Sequence, residues 1–114
     1  MPDGATPPEA AYHLLLDREE VPMAAHSLRL LISDEAHQAD IRRLAREVLA
    51  ELEGEPDQTG VLSVALTPQQ MKITHSALRL LLNDLQREQA DELRILQSIL
   101  GKLPDEHAIR AIQL

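Results

Sequence analysis

The feature that most constrains this chain is an internal repeat at an offset of about 50 residues. Residues 28–31 read Leu-Arg-Leu-Leu, and residues 78–81 read the same four letters. Farther along the offset becomes 51, so that Gln-Ala-Asp at 38–40 recurs at 89–91. A half-length unit cannot cover its own apolar face, whereas two stacked units can cover each other. We therefore predict one domain made of two similar halves.

Each half begins with a predicted strand and a helix-start signal. Residues 61–66 alternate apolar with small or polar side chains between Gly60 and Thr67, which is typical of a short strand. The run at 12–16 occupies the matching place in the first half. Each run is followed by a capping-box sequence, Asp-x-x-Glu from Asp17 and Thr-x-x-Gln from Thr67. A strand followed by a helix is thus predicted in both halves.

Residues 33–40 and 83–92 are polar but contain neither Gly nor Pro, so one long helix and two shorter helices are both open alternatives. The extra residue in the second half favours the shorter helices. Inside a continuous helix it would rotate every later side chain by about 100° and misplace the apolar stripe, whereas turns tolerate insertions. A second helix is predicted from apolar residues at helical spacing, at positions 41, 44, 45, 48, 49 and 52.

The predicted fold class is α+β and predominantly α-helical. It is an internally duplicated β-α-α unit with pseudo-twofold symmetry, two short strands and four to five helices. The two repeats are expected to form one domain. The predicted divisions are a disordered lead-in at 1–10, a first repeat at 11–53, a linker at 54–60, a second repeat at 61–103 and a C-terminal amphipathic segment at 104–114.

Composition narrows the classes of function. The chain has no Cys, which excludes disulfides and thiol chemistry, and no apolar run approaches the roughly 20 residues of a membrane-spanning helix. Residues 1–60 hold 13 acids against 5 Arg, whereas residues 61–114 hold 6 acids against 6 Lys and Arg, for a net charge of −8. Because an acidic field repels phosphate backbones, we do not expect a nucleic-acid partner. The start lacks the features of a signal peptide, so we expect a cytoplasmic protein with no membrane association.

Five histidines raise the question of a metal site. Asp34, His37 and Asp40 are spaced by three residues, which suits borderline metal ligands on one side of a helical turn. The matching place in the second half carries Arg87, which is not a ligand. We therefore interpret the group as a solvated turn, and we predict neither a metal nor another cofactor.

Other polar clusters are interpreted as solvated helix surface. His26 and His75 both precede Ser but lie about 100° apart in the aligned helices. Arg42, Arg43 and Arg46 share their helix with Glu residues at i+4 spacing, unlike the basic stripe of a DNA-reading helix. No Gly-rich phosphate loop, Gly-x-Ser-x-Gly turn or other catalytic motif is present, so we do not expect an enzyme.

Five residues are predicted to contact a partner. Arg29 and Arg79 occupy the same place in both halves, where they could bind carboxylates bidentately or cover the core edge with their stems. The last segment either closes the domain or reaches a second protomer, and its contact residues are Ile109, Ile112 and Leu114. A two-stranded ribbon is marginal by itself, so we expect a homodimer that joins two ribbons edge to edge.

The sequence predicts a non-enzymatic protein–protein interaction or regulatory module. Two alternatives stay open. One is an acidic inhibitor or antitoxin-like protein that binds a basic partner, because the excess acidity lies in the first half. The other is a transcriptional regulator that uses residues 23–53 as a helix-turn-helix-like pair.

Overall fold

In a computed structural model of the chain, the described residues are 12–34, 38–85 and 89–112. They form five helices and two antiparallel strands, which confirms the predicted α+β, predominantly helical fold class. The elements in chain order are β1 (Tyr12–Leu16), α1 (Glu20–Ser33), α2 (Ala39–Glu51), β2 (Leu62–Leu66), α3 (Pro68–Asp84), α4 (Ala90–Lys102) and α5 (Glu106–Arg110).

The two strands form an antiparallel ribbon with one buried and one exposed face. The register runs from Tyr12 opposite Leu66 to Leu16 opposite Leu62. Alternate side chains of each strand are buried, as the alternating sequence predicts. Leu15 lies on the other face and is 51% exposed. The ribbon is therefore covered by helices on one side only.

Four helices cover the buried face of the ribbon. α1 and α3 pack against each other at the centre, and α2 and α4 each contact both of them. Leu28 of α1 and Leu78 of α3 are fully buried between these elements. The core contains no aromatic side chain, so it depends on close packing of Leu, Ile, Val, Ala and Met.

Both predicted capping boxes are formed. The carboxylate of Asp17 accepts from the Glu20 N–H at 3.0 Å, and the Glu20 carboxylate accepts from the Asp17 N–H at 2.9 Å. Thr67 and Gln70 make the same reciprocal pair at 3.1 and 3.0 Å. Pro22 fits in the first turn of α1, because a backbone N–H there has no intrahelical partner.

The helices break where the change of offset predicts. α1 ends at Ser33 and α2 begins at Ala39, while α3 ends at Asp84 and α4 begins at Ala90. Of the two alternatives, two shorter helices per half are therefore correct. Within the described ranges, no helix combines the length and the apolar character that crossing a bilayer requires.

Candidate functional site: a basic groove

A groove of about 440 Å³ lies between α3 and α5, beside the C-terminal end of α1. We call it the basic groove. Leu31, Leu80 and Ile109 supply its apolar surface, and its remaining lining is polar or cationic. The complete lining is Leu31, Lys72, His75, Ser76, Arg79, Leu80, Asn83, Ile109 and Arg110. No carboxylate of the described residues lines it.

One face of α3 supplies most of the cations. Lys72, Ser76, Arg79 and Asn83 recur at spacings of three to four residues, which places them along one side of the helix. Buried residues such as Ile73 and Leu78 lie on the opposite side, against the core. The amphipathic pattern of α3 therefore aims a polar stripe into the groove.

The short helix α5 forms the second wall. Asp105 caps it by accepting from the Ala108 N–H at 2.8 Å. Ile109 is only 3% exposed and anchors α5 to the core. The Nζ of Lys72 donates to the carbonyl of Ile112 at 2.5 Å, which ties the end of α5 to α3. These contacts place Arg110 on the same groove as Arg79.

The charge of the basic groove opposes that of the whole chain. Lys72, Arg79 and Arg110 carry three positive charges around an apolar surface, whereas the net charge of the chain is −8. Arg79 is exposed, so its guanidinium can form a bidentate pair with a carboxylate. A lining of one sign raises the local concentration of oppositely charged ligands. The arrangement suits an anionic ligand with an apolar part.

The structure brings together only some of the predicted contact residues. Arg79 and Ile109 both line the basic groove, and the carbonyl of Ile112 bonds to a lining residue. Arg29 lies exposed on α1 and is not part of the lining. Leu114 lies outside the described residues. The contact roles of all five stay predictions, and the buried position of Ile109 leaves it little surface for a partner.

Sequence reasoning missed Lys72 and Arg110 as groove residues. Lys72 could have been found, because it lies seven residues, or two helical turns, before Arg79 on the same predicted helix. Arg110 left no such signal. Its position depends on where α5 docks, and a short apolar stripe does not specify the surface that it covers.

The residues considered for a metal do not assemble into a site within the described ranges. Asp40 is exposed and its carboxylate lies 3.9 Å from the guanidinium of Arg43. His37 lies outside the described residues. Among those described, no group of three His, Cys, Asp or Glu side chains could hold a metal ion.

A second groove, of about 330 Å³, carries the opposite charge. It lies where α1 meets the end of α3 and the start of α4. Three carboxylates lie on it beside apolar walls, and we call it the acidic groove. Its charged residues are Glu19, Asp84 and Glu92, and its apolar residues are Pro22, Met23, Leu81 and Leu85.

A buried polar cluster joins α1, α4 and β1. The carboxylate of Glu20 is 2% exposed, pairs with Nζ of Lys102 and accepts from the hydroxyl of Ser98 at 2.7 Å. The same Nζ donates to the carbonyl of Leu15 at 2.9 Å, and the hydroxyl of Tyr12 donates to the carbonyl of Lys102. Every polar contact of this cluster lies within the chain, so we interpret it as a structural tie.

No known protein-family model, curated protein or solved structure matches this chain. The functional argument therefore depends on the two grooves and on the charges around them.

Proposed function

We propose that this protein is a non-enzymatic interaction module whose basic groove binds an acidic, partly apolar segment of a protein partner. One observation carries the proposal: cations from α3 and α5 surround an apolar surface in a molecule that is otherwise acidic. A carboxylate-rich segment would pair with Arg79 and Arg110 while its apolar side chains cover Leu80.

We also infer that the chain is an internal duplication with pseudo-twofold symmetry. The ribbon register supports this inference, because Leu14 pairs with Val64, its counterpart at an offset of 50. Two polar contacts support it as well. Ser98 donates to Glu20, and the counterpart of Glu20, Gln70, donates to a residue at the place matching Ser98, namely Glu47, at 3.0 Å.

The duplication would explain why only one half carries the basic groove. The segment that follows α4 has no counterpart after α2, where the chain continues into the linker and β2. The wall formed by Ile109 and Arg110 is thus specific to the second half. Arg29 and Arg79, which match in the repeat, would then differ in function because only Arg79 faces α5 across a groove.

This difference supplies a matched test. Arg79→Glu and Arg29→Glu make the same charge change at matching, exposed positions of α3 and α1. Purified wild type and both variants are used as bait for the proteins of a native lysate, and captured proteins are identified by mass spectrometry. We expect wild type and Arg29→Glu to retain a shared set of acidic proteins, and Arg79→Glu to lose it. Capture of the same set by Arg79→Glu would refute the groove as the binding surface.

The acidic groove favours a second candidate function, namely an acidic inhibitor or antitoxin-like protein that binds a basic partner. Glu19, Asp84 and Glu92 would pair with cations of that partner, beside the apolar Met23 and Leu81. The variant Asp84→Lys tests this function in the same capture experiment. Loss of basic proteins from Asp84→Lys, with acidic proteins unchanged, would favour the second function over the first.

A further inference from the structure

We propose that the basic groove binds the acidic segment, residues 51–57, of a second copy of this chain, so that copies associate head to tail. The inference rests on the proposed function, since it names an occupant for the same groove. It replaces an unspecified acidic partner with a sequence that the chain itself carries.

The acidic segment has the chemistry that the groove requires. It reads Glu-Leu-Glu-Gly-Glu-Pro-Asp, and all four of its carboxylate side chains are on exposed residues. Pro56 is also exposed and offers an apolar ring between two acids. The groove presents three cations around Leu31 and Leu80. Charge and apolar surface are therefore complementary on the two sides.

The acidic segment does not reach the basic groove of its own chain. Gly54 and Pro56 line a different pocket, together with Val21 of α1 and Leu62 of β2. None of the residues that line the basic groove lines this pocket. The two surfaces can therefore meet only when a second molecule brings its acidic segment to the groove.

The contact is heterologous, because one surface of each copy binds a different surface of the next. Such contacts generate rings or open chains rather than a closed pair. Exposed ion pairs contribute little individually and are screened by salt. We therefore expect weak association that increases with protein concentration and decreases as salt is added.

Light scattering on the full chain tests the proposal. We expect the mean mass of wild type to rise above the 12.7 kDa of one chain with increasing concentration at low salt. Arg79→Glu, which alters the groove, and the double variant Glu53→Lys/Glu55→Lys, which alters the acidic segment, should each stay at the mass of one chain. An equimolar mixture of the two should form pairs and nothing larger, because one intact contact remains.

Matched variants control for net charge. Arg29→Glu and the double variant Asp40→Lys/Asp91→Lys change exposed residues away from both surfaces and should associate as wild type does. Circular dichroism of every variant checks that the helices are retained. Association that persists in both Arg79→Glu and Glu53→Lys/Glu55→Lys would overturn the proposal and favour the edge-to-edge ribbon dimer.

A second result separates this inference from the proposed function. A wild type that stays at the mass of one chain at every concentration would overturn the head-to-tail contact. If Arg79→Glu nevertheless loses the acidic proteins captured by wild type, the groove still binds a partner and the proposed function stands. If neither experiment depends on Arg79, both proposals fail.

Discussion

Lys102 links three elements through one side chain. Its Nζ pairs with the buried Glu20 of α1 and donates to the carbonyl of Leu15 in β1, while Lys102 itself ends α4. The Leu15 contact lies on the edge of the ribbon. Lys102 thus occupies part of the β1 edge, and any ribbon dimer would have to use the β2 edge or displace this side chain.

We predict that Lys102→Met destabilises the protein by about 3 kcal/mol, because it leaves the Glu20 carboxylate buried without its cation. The value is at the low end for a buried pair, since the Lys102 side chain is 37% exposed and water replaces part of the interaction. Urea unfolding measures the loss. Arg94→Met, an exposed position on the same helix, should change the free energy of unfolding by less than about 0.5 kcal/mol. Equal losses in the two variants would contradict the role of the buried pair.

Asp57 is the residue whose titration should affect stability. Its carboxylate accepts from the Thr59 hydroxyl at 2.5 Å and from the Val61 N–H at 3.1 Å. These hydrogen bonds lower the pKa of Asp57 from its ordinary value of 3.8. Because the folded pKa is depressed, the ionised carboxylate stabilises the fold above the ordinary value, and this contribution is lost as the pH falls through the folded pKa.

We therefore predict that Asp57→Asn removes part of the acid dependence of stability. The stability difference between wild type and Asp57→Asn should be constant near neutral pH and should narrow as the pH falls below 3.8. Thermal unfolding across a pH series measures it. Thr59→Ala removes the hydroxyl donor and should weaken the acid dependence in the same direction. A difference that widens on acidification would show that the sign is wrong.

At the scale of elements, the capping box of α3 is the clearest local determinant. We predict that Thr67→Ala lowers the free energy of unfolding by about 1 kcal/mol, because the Gln70 N–H loses its acceptor. Thr67→Ser keeps the hydroxyl and should retain most of the stability. Denaturant unfolding of both variants is the measurement, and a Ser variant as unstable as the Ala variant would exclude the cap as the cause.

Elements specified by local signals were predictable from the sequence, whereas their docking was not. The alternation at 62–66 predicts β2, and the capping boxes predict the starts of α1 and α3. The apolar stripe of α5 predicts that it covers something, but a stripe does not name the surface. Arg79 was therefore predictable as a polar residue beside the core, whereas its pairing with Arg110 across a groove depends on tertiary packing.

At the scale of the whole molecule, the two central helices should contribute equally to the core. Leu28 and Leu78 are both 0% exposed and lie in the contact between α1 and α3. We predict that Leu28→Ala and Leu78→Ala each destabilise the protein by about 2–5 kcal/mol, through lost burial and the cavity left behind. Equilibrium urea unfolding measures both.

The exposed Leu15 is the matched control for these core variants. Leu15→Ala removes the same atoms from a side chain that is 51% exposed, and it should cost far less than either core substitution. A large loss for Leu15→Ala would indicate that the outer face of the ribbon is buried in solution, as an assembly using that face would require.

The hydroxyl of Tyr12 donates to the carbonyl of Lys102, and Tyr12 is the one aromatic residue in a chain without Trp or Phe. All intrinsic ultraviolet fluorescence therefore originates at the junction of β1 with α4. Its intensity and lifetime would report the separation of these two elements without an added dye. The weak near-ultraviolet absorbance that accompanies a single phenol also makes peptide-bond absorbance the better measure of concentration.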